Sequence, residues 1–227
     1  MRRSWAALLG ATALLASVGP SVVEGNKDYL IPLDRYTTPK GRALATSHKG
    51  QLLGLYEHVY HCLPWVGVAK NGIGFARRKG AEADDRYLSL WIDVDQTDDG
   101  TFAALTRDRR ASAMLSRYGI DMLRRMTALT GLRSDPDLFG YSVILAWLKP
   151  GGGQSPSKET LAIFADKASV EEYLGKRLPG TEFVKRSTFV LFDGKEEMPR
   201  PQLEVWEDSF NSTYKLKNYE LQKDQKC

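Results

Sequence analysis

Cysteine is almost missing from this chain. Its 227 residues hold two, Cys62 and Cys227, and neither belongs to a CxxC pair. That removes the dithiol-redox, zinc-ribbon and c-type haem signatures. Histidine occurs three times, as His48, His58 and His61, all in or beside one helical stretch. No nucleophile elbow, HExxH, phosphate loop or dinucleotide fingerprint occurs, so no motif marks an enzyme class and no cofactor is expected. Charge of one sign is lacking as well. Thirty-two Lys and Arg stand against 28 Asp and Glu, and the net of +4 is too small and too mixed to point to nucleic acid. Beyond residue 25 no apolar run reaches the roughly 20 residues of a membrane helix, so the chain is not expected to be an integral membrane protein once a leader is removed.

What remains is an ordinary globular composition, 42% hydrophobic and 26% charged, with chain enough to bury a core. The first residues have the layout of an export signal. Arg2 and Arg3 are basic, Trp5 to Val18 is apolar, and Gly19, Pro20 and Ser21 follow. The expected organisation is a signal peptide over 1–25, a single α+β domain over 26–206 and a polar tail over 207–227. The expected location is secreted or periplasmic. An oxidising compartment makes Cys62 and Cys227 candidates for a disulfide.

The stretch from Tyr87 to Leu129 organises the rest. Leu88, Leu90, Ile92 and Val94 share one face of a strand, and Tyr87, Ser89, Trp91, Asp93 and Asp95 share the other. A long helix is expected next, with Ala104, Ala111, Leu115, Tyr118, Met122, Met126 and Leu129 on one stripe. Gly119 marks a bend or break within it. Other helices are expected over 42–63 and from a capping box at Ser169 to before Pro179. Strands are expected over 72–79, 138–148, 160–165 and 183–192, with a last edge strand at 203–206. Leu138 to Leu148 is so apolar that it reads as a central strand buried on both faces. The fold class that follows is α+β: a mainly antiparallel sheet of five to six strands, helices packed on one face, built from two ββα-like units.

Three constellations are candidates for function. His58 and His61 are neighbours on a helix, and with Asp93 or Asp95 they would make a metal-assisted, hydrolase-like site. The carboxylates around Asp95 do not form a calcium loop, because Asp98 stands where glycine is needed and Ala104 where glutamate is needed. Arg110, Arg117 and Arg124 recur every seven residues, almost opposite the apolar stripe. As an exposed ridge they would meet anionic lipid or an acidic partner. Trp91 and Trp206 point outward, and Trp and Arg are the residue types enriched at binding hot spots. The leading expectation is a non-enzymatic module that binds a protein or a cell-envelope component through Trp91, Trp206 and the arginines. The alternatives are the His–Asp enzyme and an anionic membrane-surface binder.

Overall fold

The computed structural model describes residues 28–62, 66–95, 100–150 and 157–206, with backbone alone for His61 and Cys62. The expected signal and polar tail, Cys227 and the side chains of Cys62 and His61 lie outside the described residues.

The described chain enters along a sheet edge, where the Ile31 N–H donates to the Ile73 carbonyl at 2.7 Å. The single helix expected over 42–63 is two. Helix α1 (Pro39–Ser47) starts earlier, because Thr38 caps it and Pro39 tolerates the first helical position. Helix α2 (Lys49–Cys62) follows after a break at His48. The His48 ring bonds Gln51 Oε1 at 2.6 Å and Asp135 Oδ2 at 2.7 Å, tying this corner to a distant loop.

Six strands form one mixed sheet in sequence order: β1 (Val66–Ala76), β2 (Arg86–Val94), β3 (Leu138–Leu148), β4 (Lys158–Asp166), β5 (Thr188–Asp193) and β6 (Glu196–Glu197). Every neighbouring pair is antiparallel except β2 and β3, which are parallel. A parallel pair cannot be joined by a hairpin, so a helical crossover must connect it. That crossover is the expected long helix, but divided into α3 (Gly100–Ala103), α4 (Arg107–Met114), a π-helical turn (Leu115–Gly119) and α5 (Ile120–Thr127). A short α6 (Thr130–Arg133) leads into β3. The apolar stripe holds where the helix is continuous: Ala111, Leu115, Tyr118, Met122 and Met126 are fully buried. Ala104, before the break, is exposed. Gly119 sits against the sheet, facing Ile163 and Leu145. A Cβ there would lie 2.9 Å from Ile163 Cδ1.

Helix α7 (Lys167–Leu174) corrects the expected capping box. Asp166, not Ser169, is the cap, accepting from the Ser169 N–H and hydroxyl at 2.8 Å each. The strand expected over 183–192 is also divided. Its first part belongs to α8 (Gly180–Arg186), where Phe183 is buried and stacks on Tyr173 with centroids 4.6 Å apart. Tertiary packing of one aromatic there overrides its strand propensity.

The expected edge strand at 203–206 joins no sheet. It lies along α4 and the π-turn. The N–H groups of Gln202, Glu204 and Trp206 donate to Asp108, Ser112 and Ser116 at 2.9, 3.0 and 3.0 Å. The pitches match: two strand residues advance about 6.6 Å and four helix residues about 6 Å.

The helices lie on one face of the sheet, α2 against β1, α5 against β3, and α7 against β3 and β4. Beneath them Leu90, Ile92, Val143, Leu145, Trp147, Leu161 and Ile163 are fully buried. One ion pair lies within this layer. Arg110 grips buried Glu159 through Nε at 2.8 Å and a second nitrogen at 2.5 Å, and Trp147 Nε1 donates to the same carboxylate at 2.8 Å.

Candidate functional site

The other face of the sheet carries apolar side chains against which no described helix packs. Register sets its side chains in rows. The central row runs Trp91, Ile144, Ala162, Val190 across β2 to β5. On one side lies Ser89, Ser142, Phe164, Thr188, and on the other Asp93, Ala146, Thr160, Phe192. Trp91 is 41% exposed, and Phe139 and Leu148 on the same strand system are 43% exposed. Ile144, Phe164, Val190 and Phe192 are half-buried. Beta-strand 3 largely meets the expectation of a strand buried on both faces: on this face Gly140, Ser142 and Ala146 are buried, Ile144 is half-buried and only Leu148, at the strand end, is exposed.

Toward one end the rings form a roof. Tyr87 meets Phe139 and Phe164 edge-on, with centroids 5.3 Å apart in both pairs. Gly140 lets the neighbouring backbone of β4 approach closely beside it. A Cβ there would lie 2.2 Å from the Ala165 carbonyl oxygen. Ser142, in the row beside it, is fully buried, and its hydroxyl has no hydrogen-bond partner among the described residues. At the opposite end Asp93 pairs with Lys158 at 2.6 Å, and Asp95 lines the same shallow depression. Charge therefore stands at both ends of the central row, Asp93 and Lys158 at one and Arg78, which donates to the Thr188 hydroxyl at 3.0 Å, at the other. Such an arrangement suits desolvation of the centre by a partner.

The histidines and these carboxylates do not converge. His58 lies in the helix layer, bonded to Arg125, which also grips Asp121 at 2.7 Å. Burial first, then the Arg125 guanidinium, holds the His58 imidazole below its ordinary 6.5, against the pull of Asp121. The sheet separates it from Asp93, whose carboxylate is held by Lys158. No group of three or more His, Cys, Asp or Glu among the described residues could hold a metal. His61 contributes no described side chain.

The arginines do not form one exposed row either. Arg110 is taken inward by Glu159. Arg117 is buried, its guanidinium 5.3 Å from the Tyr118 ring centroid. Arg124 alone is well exposed, near Asp121 at 3.5 Å. The π-turn is the physical reason. Its wider winding shifts the register of everything after it, so a seven-residue spacing no longer marks one side. Trp206 is half-buried at the end of the strap on α4, with its Nε1 on Glu204 at 3.2 Å. Trp91 and Trp206 thus belong to different surfaces.

Sequence reasoning missed Ile144, Phe164, Val190 and Phe192 as surface groups. Their signal was the surplus itself: strands apolar at successive positions in a fold whose described helices lie on one face. No family model, no curated protein and no solved structure matches this chain.

Proposed function

We propose that the protein is an exported, non-enzymatic binding module of the cell envelope whose contact surface is the uncovered sheet face. The observation that carries this reading is the apolar row Trp91, Ile144, Ala162, Val190 with charge standing at both its ends. The occupant is a partner protein presenting an apolar face of low charge. Size supports a protein. Four strands about 4.8 Å apart and some eight residues long, at about 3.3 Å each, project roughly 500 Å², and side-chain relief raises the accessible area further. A standard interface takes about 800 Å² from each partner. Hot-spot chemistry supports Trp91 as the anchor.

Export rests on the basic and apolar pattern of residues 1–25 and places the module in a secreted or periplasmic setting. A Cys62–Cys227 bridge belongs to the same reading. So does a description of the fold as two ββα-like units, β1–β2 with the first crossover and β3–β4 with α7 and α8.

Hydroxyl-radical footprinting tests the contact surface. Trp91, Phe139 and Leu148 are expected to be labelled in the dilute purified chain and protected in the envelope fraction of cells that produce it. Equal labelling in both removes the reading. Protection that appears in the purified chain on concentration alone assigns the face to a second copy instead.

A further inference from the structure

The strap over 202–206 is held as a strand along one side only. Its alternate N–H groups, those of Gln202, Glu204 and Trp206, donate to the side chains of Asp108, Ser112 and Ser116. In extended backbone the N–H and C=O groups of successive residues point to opposite sides. Those of Leu203 and Val205 therefore point away from α4. Among the described residues neither the N–H nor the C=O of Leu203 or Val205 enters a hydrogen bond. The strap thus presents a strand edge with two open residues, and such an edge is a template for a further strand.

The side chains of the edge define what fits it. Leu203 and Val205 are half-buried against the core. Gln202 and Glu204 are exposed on the opposite face, which Trp206 shares, since its Nε1 donates to Glu204 at 3.2 Å. Among the described residues no cation pairs with Glu204. An antiparallel strand bonded to Leu203 and Val205 sets one residue opposite Glu204 in a non-hydrogen-bonded pair, the closer kind, with Cα atoms about 4.5 Å apart. An apolar–acidic–apolar edge is therefore matched by an apolar–cationic–apolar strand. A second strap does not supply that order. The antiparallel register that uses both open residues of each copy would set two Glu204 carboxylates side by side.

The chain carries the matching order just downstream. Tyr214, Lys215, Leu216 and Lys217 alternate apolar and cationic. The stretch 207–213 separates them from Trp206, and Asp208, Ser209, Asn211 and Ser212 within it are turn-forming types. That length suffices for a hairpin return, whose two strands stand only about 4.8 Å apart.

We propose that the outer edge of the strap is a strand-addition site and that its occupant is the chain's own segment 214–217. In the antiparallel return Tyr214 and Leu216 exchange backbone hydrogen bonds with Val205 and Leu203, and Lys215 pairs with Glu204. Occupied in this way, the edge is closed to pairing with other chains. The strap lies in the helix layer, so the site is independent of the sheet-face reading.

The test is amide hydrogen exchange by NMR, residue by residue, on the full chain at low concentration. The Leu203 and Val205 amides are expected to exchange at least about tenfold more slowly than open amides. Leu216→Pro, which breaks the added strand, is expected to remove that protection. Lys215→Glu and Glu204→Lys are each expected to reduce it, and Glu204→Lys/Lys215→Glu to restore it. The Gln202 and Trp206 amides, bonded to α4, are expected to stay protected throughout, so detachment of the strap does not account for the losses. Lys223→Glu, a tail cation outside the segment, is expected to change nothing. Four results overturn the proposal: open-amide exchange at Leu203 and Val205 in the parent chain, undiminished protection in Leu216→Pro, no restoration in the charge swap, or protection that appears only on concentration, which gives the edge to a second copy.

Discussion

The two faces of the sheet are made by the same strands and have opposite surroundings. On the helix side Leu90, Ile92, Val143, Leu145, Leu161 and Ile163 lose all contact with water. On the other side Trp91, Ile144, Ala162 and Val190, one residue along each strand, meet no described helix. The side chains are of comparable apolar character. What differs is the path of the connections. The crossover from β2 to β3 and the α7–α8 connection from β4 to β5 both return over the same side. Apolar sequence therefore does not by itself report burial. In this chain it reports full burial on one face and, on the other, small buried residues among half-buried or exposed large ones.

That contrast can be broken by substitution, most strongly in the covered layer. Trp147→Ala removes a fully buried indole and its bond to Glu159, and is expected to cost about 3–5 kcal/mol in urea unfolding. Trp91→Ala on the open face is expected to cost under about 1 kcal/mol in the isolated chain. Equal costs would mean that the open face is packed after all.

The ion pairs make the same comparison at a smaller scale. Glu159→Ala leaves Arg110 without its partner in a buried site, an expected loss of about 3 kcal/mol. Asp93→Ala breaks the half-exposed pair with Lys158 and is expected to change stability by no more than about 0.5 kcal/mol. Thermal melts of the two variants side by side decide it.

Acid sharpens the contrast further, because the shifted groups facing the helices respond in known directions. The folded state resists protonating His58, so the unfolded chain takes up that proton first. Stability tied to His58 is present above 6.5 and is lost as pH falls from there through the lowered folded value. Asp135 behaves as a depressed carboxylate. Desolvation raises it, but the bonds from His48 and the Asp137 N–H, with His48 and Lys167 nearby, outweigh that and lower it. Its contribution is present above 3.8 and is lost at lower pH still. Urea midpoints at pH 7 and 5 are expected to fall, and to fall less in His58→Gln. An equal fall in that variant would clear His58 of the effect.

The smallest expected change concerns a local device in the covered layer. Asp166→Ala removes the cap of α7 and is expected to cost about 1 kcal/mol. Ser169→Ala, at the position first read as the cap, loses only the hydroxyl bond to Asp166 and is expected to cost less.

Much of the fold was legible because periodicity is local. The alternation in Tyr87–Asp95 and the helical stripe through Tyr118 and Met126 describe which residues share a side; the structure buries Leu88, Leu90, Ile92, Val94 and the stripe, and buries Tyr87 and Ser89 of the other strand face too. The parallel pairing of β2 with β3 was not legible, since pairing is decided between segments far apart in sequence. Nor was the π-turn, which adds no unusual residue yet separates Arg110, Arg117 and Arg124. The candidate site was half legible. Trp91 stood out as an outward aromatic. Ile144, Phe164 and Val190 did not, because in an apolar strand the covered and uncovered positions look alike.

The amino-acid order alone settled the class of the fold, its alternating faces and the absence of familiar catalytic motifs, because these depend on neighbours within a turn or a strand. Which apolar face is covered and which arginine turns inward were decided only by packing. Each depends on where distant segments meet, and a local pattern holds no record of that meeting.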